Sequence, residues 1–238
     1  MHNFAGKKVL KRIDIQPVSF GAGPHRILYD GAAMTSISLE CLHPAFWEIR
    51  NAVLDQMGGR GQALAIQTEV GPAVLRRYLR GGKLARLLAD RYVFTGFERS
   101  RAFREWRLLA QLHALDLPVP RPLMASCERR GAIYRAGLMT SRIEGARTLA
   151  TLAEKLDQPH WQSLVETLQT FFDAGVVHPD LNANNLLLDV SGRWYLIDFD
   201  RARQVAGKSS PGPMVRRLLR SFDRLGIKAG REQLEQLL

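Results

Sequence analysis

The chain has 238 residues, 46% of them hydrophobic, which describes a globular protein of one domain or two closely packed lobes with a sizeable core. Its formal net charge of +11 restricts partners to those that tolerate excess Lys and Arg, such as phosphates, anionic lipid or nucleic acid. No run approaches the roughly 20 apolar residues that span a bilayer, and no signal-peptide core opens the chain, so a cytoplasmic protein with at most peripheral membrane contact is expected. Cys41 and Cys127 lie far apart and form no metal-type spacing, which fits free thiols in a reducing compartment.

Residues 1 to about 30 carry Lys7, Lys8, Lys11 and Arg12 and run into Gly21 and Gly23, with a strand expected near Arg26 to Tyr29. From Pro44, the apolar positions Phe46, Trp47, Val53 and Leu54 predict a short helix before Gly58. Gly58, Gly59 and Gly61 then precede a strand at Ala63 to Gln67, and a second strand, Ala73 to Tyr78, follows Gly71-Pro72. Gly59 and Gly61 between strands let backbone N–H groups approach phosphate, although a tight turn without ligand uses the same residues. The second strand carries Arg76 and Arg77, and alternation puts Arg76 on the face of Val74 and Tyr78.

Arg101 to Leu115 is predicted helical, with Phe103, Trp106, Leu109 and Ala110 on one face and Glu105 beside it. Glu105 is open to two readings there, a buried partner for a strand cation or a solvated neighbour of Arg101 or Arg104. Leu117 to Pro122 cannot continue the helix and leads as extended chain into a strand at Leu123 to Ser126. Cys127 to Gly131 is then expected to turn, Ala132 to Thr140 to form a strand, and Ser141 to Gly145 to form a hinge into the C-terminal part of the chain. Thr148 caps a short helix through Leu156; Pro159 starts a longer one through Trp161, Leu164, Leu168 and Phe171, stopped by Gly175.

The stretch from Val176 to Asp200 organises the rest. Leu186 to Leu188 and Trp194 to Ile197 predict two strands, with Asp189, Ser191 and Gly192 supplying the turn. Such a hairpin returns Asp198 beside Asn185, a hard-oxygen pair suited to Mg²⁺ and through it to nucleotide phosphates. Asp180 stands upstream as a separate carboxylate able to accept or orient the proton of an attacking hydroxyl. The plainer reading makes these residues only caps and turn formers. Beyond Asp200 come a Gly/Ser/Pro loop at residues 207–213 and helices at Met214 to Phe222 and Arg231 to Leu238. Arg216, Arg217 and Arg220 face either an anionic substrate or membrane, or simply water.

The sequence His178-Pro-Asp180-Leu-Asn-Ala-Asn-Asn185, followed by Asp198-Phe-Asp200, resembles the kinase pattern H-x-D-x-x-x-x-N and D-F-G. Pro179 replaces the arginine that many protein kinases use to receive an activation-loop phosphate, which argues against control of that kind. Asp200 replaces the glycine of the metal motif, putting flipping of that loop in doubt. With Arg76 to Gly82, Asp90 to Tyr92, Arg104 to Leu109 and Leu117 to Pro122, the chain from about Gly58 to Asp200 resembles the lipopolysaccharide kinase family of Gram-negative bacteria.

That resemblance implies an α+β, two-lobed, protein-kinase-like fold, with a small antiparallel-sheet N-lobe over residues 1–140 and a reduced helical C-lobe over residues 141–238. It implies ATP and Mg²⁺, with Asp180 and His178 catalytic, Asn185 and Asp198 on the metal, and Gly59, Gly61, Arg76 and Glu105 on the nucleotide side. Arg76 or Arg77 stands where such kinases carry lysine, and alternation favours Arg76. Backbone groups near Thr140 to Ile143 would meet the adenine. The implied reaction transfers the γ-phosphate of ATP to the 4-hydroxyl of 3-deoxy-D-manno-octulosonic acid (Kdo) linked to a lipid A precursor. This anionic, lipid-linked acceptor places the protein peripherally on the cytoplasmic side of the inner membrane, with no nucleic-acid partner. A soluble sugar or aminoglycoside kinase would use the same residues, and a non-catalytic nucleotide-binding module would share the fold. A nucleic-acid-binding protein accounts for the charge but not for the spacing.

Overall fold

A computed structural model describes residues 14–57, 63–78 and 92–238. The first described elements form a hairpin of β1 (Pro17–Phe20) and β2 (His25–Asp30), turned at Gly23 with φ of +54°. A 3₁₀ turn at Leu39–Leu42 leads into α1 (Pro44–Ile49), whose Trp47 is buried and donates its indole N–H to Cys41 O at 2.7 Å. The helix expected to reach Leu54 ends here. Asn51 turns the chain at φ +53°, and Val53 and Leu54 belong instead to β3 (Val53–Met57), with Val53 opposite Ile66 of β4 (Ala63–Thr68). Helical spacing of four apolar residues could not register a left-handed residue between them.

Next come β5 (Gly71–Arg77), β6 (Tyr92–Val93), α2 (Arg101–Ala114), β7 (Pro122–Arg130) and β8 (Ile133–Ser141). The strands form one antiparallel sheet in the order β1-β2-β7-β8-β5-β4-β3, with β6 also on β8. Cys127 to Gly131 is not a turn, contrary to expectation. Cys127 pairs with Ala136 and Arg130 with Ile133, and the reversal is confined to Gly131, φ +63°, and Ala132. Arg129 and Arg130 are exposed, so their charges sit at a strand end without burial cost.

Both faces of the sheet are covered. Ile27, Ile66, Leu75, Met124 and Met139 pack under Leu42 and Trp47 on one side. Leu28, Ala125 and Leu138 join Phe103, Trp106, Leu109 and Leu112 of α2 on the other. Burial of each large side chain contributes about 1.5–3 kcal/mol. This second core continues into the rest of the chain through Leu164, Leu168, Phe171, Leu186 and Phe199.

There β9 (Arg147–Thr148) leads to α3 (Leu149–Leu152), capped by Thr148, whose hydroxyl accepts from Thr151 N at 3.3 Å. Asp157 caps α4 (Gln158–Asp173) by accepting from His160 N at 3.2 Å, and Gly175 at φ +74° follows its end. Short strands complete the segment: β10 (Val176–Val177) pairs with β13 (Arg203–Gln204), and β11 (Leu186–Leu188) with β12 (Trp194–Leu196) and β9. The predicted tail helices run slightly differently, as α5 (Gly212–Leu225) and α6 (Arg231–Glu235). The fold is thus mixed α/β, an antiparallel sheet with several helices. Cys41 and Cys127 are buried, separate thiols. No helix among the described residues is long and apolar enough to cross a membrane.

Candidate active site

Strand alternation decides where the two arginines of β5 point. Arg77 lines a cavity of about 120 Å³ with His43 and Arg135. Arg76 takes the other side, where Nη2 donates to both oxygens of Glu105 at 2.6 and 2.5 Å and Nη1 to Asp198 Oδ1. Glu105 is 3% exposed on the inner face of α2 and also accepts from the Tyr78 hydroxyl and, at 3.1 Å, from Phe199 N. It is therefore not a solvated neighbour of Arg101 or Arg104. Burial pushes the Glu105 carboxyl up, while Arg76, the Tyr78 hydroxyl and Phe199 N–H favour its ionised form. Burial would by itself lower the Arg76 pKa, but Glu105, Tyr78 and Asp198 more than offset this and hold the guanidinium charged. One cation between two carboxylates leaves a net negative charge facing outward at Asp198, whose side chain is 35% exposed.

The segment from His178 to Asn185 is a run of turns held on its own carbonyls. Leu181 N donates to His178 O and Asn185 N to Asn182 O, while the Asn182 and Asn185 amides converge on Asp180 O at 2.7 and 3.0 Å. With its Nδ2 so committed, the side chain of Asn185 has Oδ1 left as its acceptor. The β11–β12 hairpin turns on Asp189, whose Oδ1 accepts from Ser191 N and Arg193 N, with Gly192 at φ +81°. Ile197 N donates to Asn185 O at 3.0 Å, so the hairpin brings Asp198 beside Asn185. Asp198 itself is left-handed, φ +66°, a strained position of the kind that clusters at functional sites. Asp198 and Asn185 offer oxygens of the hard kind that Mg²⁺ takes, an ion that binds one or two carboxylates and completes its shell with phosphate oxygens and water.

His178 is 2% exposed, with Nε2 3.2 Å from Ile197 O and its ring edge-on to Phe199 at 5.1 Å. Burial lowers its pKa from 6.5, so the ring is neutral near pH 7. The folded pKa lies below the unfolded one, so the unfolded chain takes up the proton first and stability falls as pH drops below about 6.5. His178→Gln keeps an N–H for Ile197 O and removes this titration. Melting temperatures from pH 7.5 to 5 should therefore decline less in the variant than in the wild type; parallel declines would disprove the assignment.

Two partners were hidden from sequence reasoning. Arg217 of α5 donates to Asp180 Oδ1. Arg101, at the start of α2, donates through Nε to Asp200 Oδ1 at 2.6 Å, pairs through Nη2 with Oδ2, and reaches the Tyr92 hydroxyl at 2.9 Å. Asp200, noted only as a departure from glycine, is thus a tether to the helix that carries Glu105. Gly59 and Gly61 lie outside the described residues.

The sheet, the helix-borne glutamate on a strand cation, and the hairpin that joins Asn185 to Asp198 are together consistent with a kinase-like fold. The chain belongs to the lipopolysaccharide kinase (Kdo/WaaP) family, whose model matches residues 44–238. It is 40% identical over 188 residues to the 3-deoxy-D-manno-octulosonic acid kinase of Xanthomonas oryzae pv. oryzae (strain PXO99A), covering 79% of this chain and 75% of that protein. The protein of the same name from Xanthomonas euvesicatoria pv. vesicatoria (strain 85-10) is 37% identical over 224 residues, 93% of this chain and 90% of its own length. A third, from Xylella fastidiosa (strain M23), is 38% identical over 210 residues, 87% and 84% of the two chains.

Proposed function

We propose that the protein is an ATP-dependent kinase that phosphorylates the 4-hydroxyl of Kdo linked to a lipid A precursor, in the building of lipopolysaccharide core. The observation that supports this reading is the Arg76 bridge between Glu105 and Asp198, with Asp198 lining one cavity together with Asp180. Relatives named as kinases of this sugar acid supply the acceptor. On this reading residues 1–140 form an N-lobe and residues 141–238 a C-lobe, with the nucleotide between them.

Asp180 accepts the proton of the sugar hydroxyl as its oxygen bonds to the γ-phosphorus and the bond to the ADP oxygen breaks. Asn185 and Asp198 would hold Mg²⁺, which would supply charge neutralisation at the phosphates. Arg76 meets the nucleotide phosphates while Glu105 fixes its direction. His178 is a positioning residue, since it is buried and braces the backbone carbonyl of Ile197 next to Asp198. The charge of +11, including exposed Arg216, Arg220 and Arg224 on α5, suits an anionic membrane surface on the cytoplasmic side.

The test offers labelled ATP with lipid A precursors carrying or lacking Kdo, in anionic vesicles over a range of salt. Transfer only to the Kdo-bearing acceptor is expected. It should fall with salt more steeply than ATP binding does, because the Debye length shortens from about 10 Å at 0.1 M. Efficient transfer to free sugars with a shallow salt response would favour a soluble sugar kinase. Bound Mg-ATP with no transfer to any acceptor would favour a binding module.

A further inference from the structure

The tail helix α5 is keyed to the segment that carries Asp180. Met214 Sδ accepts from His178 N and Ser221 Oγ from Ala183 N, each at 3.1 Å. Met214 and Ser221 are two helical turns apart on one face, so the helix is fixed in both rotation and register against residues 178–183. Met214, Val215, Leu218 and Phe222 are buried along that face and hold it there. Arg217 lies between the two anchors, and its Nη2 meets the carboxylate of Asp180.

Folding alone does not account for this pair. The two side chains are 40% and 41% exposed, and ion pairs at such exposure add little to stability. The guanidinium Nε, by contrast, is buried without a hydrogen-bond partner among the described residues, a cost accepted where the head group is held for another purpose. The stretch His178 to Asn185 contains no cation of its own. A charge beside Asp180 therefore has to come from elsewhere in the chain, and α5 delivers it.

We propose that Arg217 binds the carboxylate of the sugar-acid acceptor while its Nη2 orients Asp180; the assignment rests on the function proposed above. In an octulosonic acid only C2 and C3 separate the C1 carboxylate from the C4 that bears the reacting hydroxyl. One planar guanidinium can hold the acid group with one edge and the base for that hydroxyl with another, and its fork matches a carboxylate better than lysine does. Arg217 thereby selects an acidic sugar and sets the distance of its hydroxyl from Asp180.

The experiment compares the Kdo-bearing lipid A precursor with the same acceptor carrying its Kdo carboxylate as a methyl ester, using wild type, Arg217→Gln and Arg217→Lys. For the wild type, KM for the ester should exceed KM for the acid by about 10- to 100-fold, as expected for one charge-assisted pair. In Arg217→Gln the acid should lose that advantage, with the two acceptors within about twofold and KM for ATP unchanged. Arg217→Lys should recover part of the preference. Equal use of acid and ester by the wild type would overturn the assignment, and this comparison stands even if the variants fail to fold. A fall in kcat for both acceptors with their ratio preserved would overturn it in favour of contact with the transferred phosphoryl group. Wild-type transfer to neither acceptor would instead overturn the proposed function, and the Arg217 assignment with it.

Discussion

Asp180→Ala is expected to lower turnover by about 10²- to 10⁴-fold while leaving Mg-nucleotide affinity within about twofold of wild type. Among the described residues the carboxylate is bonded to Arg217, while Arg76, Glu105 and Asp198, proposed for the nucleotide side, form their own cluster. The Asn182 and Asn185 amides bind the backbone carbonyl of residue 180 and not its side chain, so alanine leaves the loop's hydrogen bonds in place. Arg217 loses its partner but is exposed enough to be solvated. Steady-state kinetics with titration of Mg-nucleotide binding separates the effects. Asp198→Ala should damage binding as well as turnover. Wild-type turnover in Asp180→Ala would remove this residue from the chemistry.

Glu105→Ala is expected to cost about 3–5 kcal/mol of stability and nearly all activity, the range for breaking a buried ion pair from one side. The carboxylate serves Arg76, the Tyr78 hydroxyl and Phe199 N–H at once, so its removal strands three donors in a region with little access to water. Glu105→Gln keeps an oxygen for these donors but not the charge, and should fall between wild type and alanine. Urea unfolding read by tryptophan fluorescence gives the numbers, provided both variants keep the wild-type slope. A loss below about 1 kcal/mol for the alanine variant would mean that the pair is solvated after all.

The parts of the molecule that were legible in sequence are those decided within a few residues. Asp189, Ser191 and Gly192 announce their hairpin, because an Asx turn and a left-handed residue are local chemistry. The side on which Arg76 emerges follows from alternation alone, and the buried face of α4 from its spacing. The hidden contacts are long-range: Arg217 and Asp180 are 37 positions apart, and Arg101 and Asp200 are 99 apart. A helix with arginines on its polar face looks the same whether the face meets water or a carboxylate. Two stretches of the sheet were obscure for a related reason. Residues Pro17 to Phe20 are exposed throughout, and the last two residues of β7, Arg129 and Arg130, are exposed charges, so neither stretch carries the burial pattern by which strands are recognised.

The aspartate in place of the metal-motif glycine has a consequence for control. Phe199 is held through its N–H by Glu105, and the next residue, Asp200, is held by Arg101 one turn earlier on the same helix. A loop fastened at two adjacent residues to one rigid element leaves its place only by giving up both contacts together. Control that acts on this loop would therefore have to act through α2, whose movement carries both residues with it.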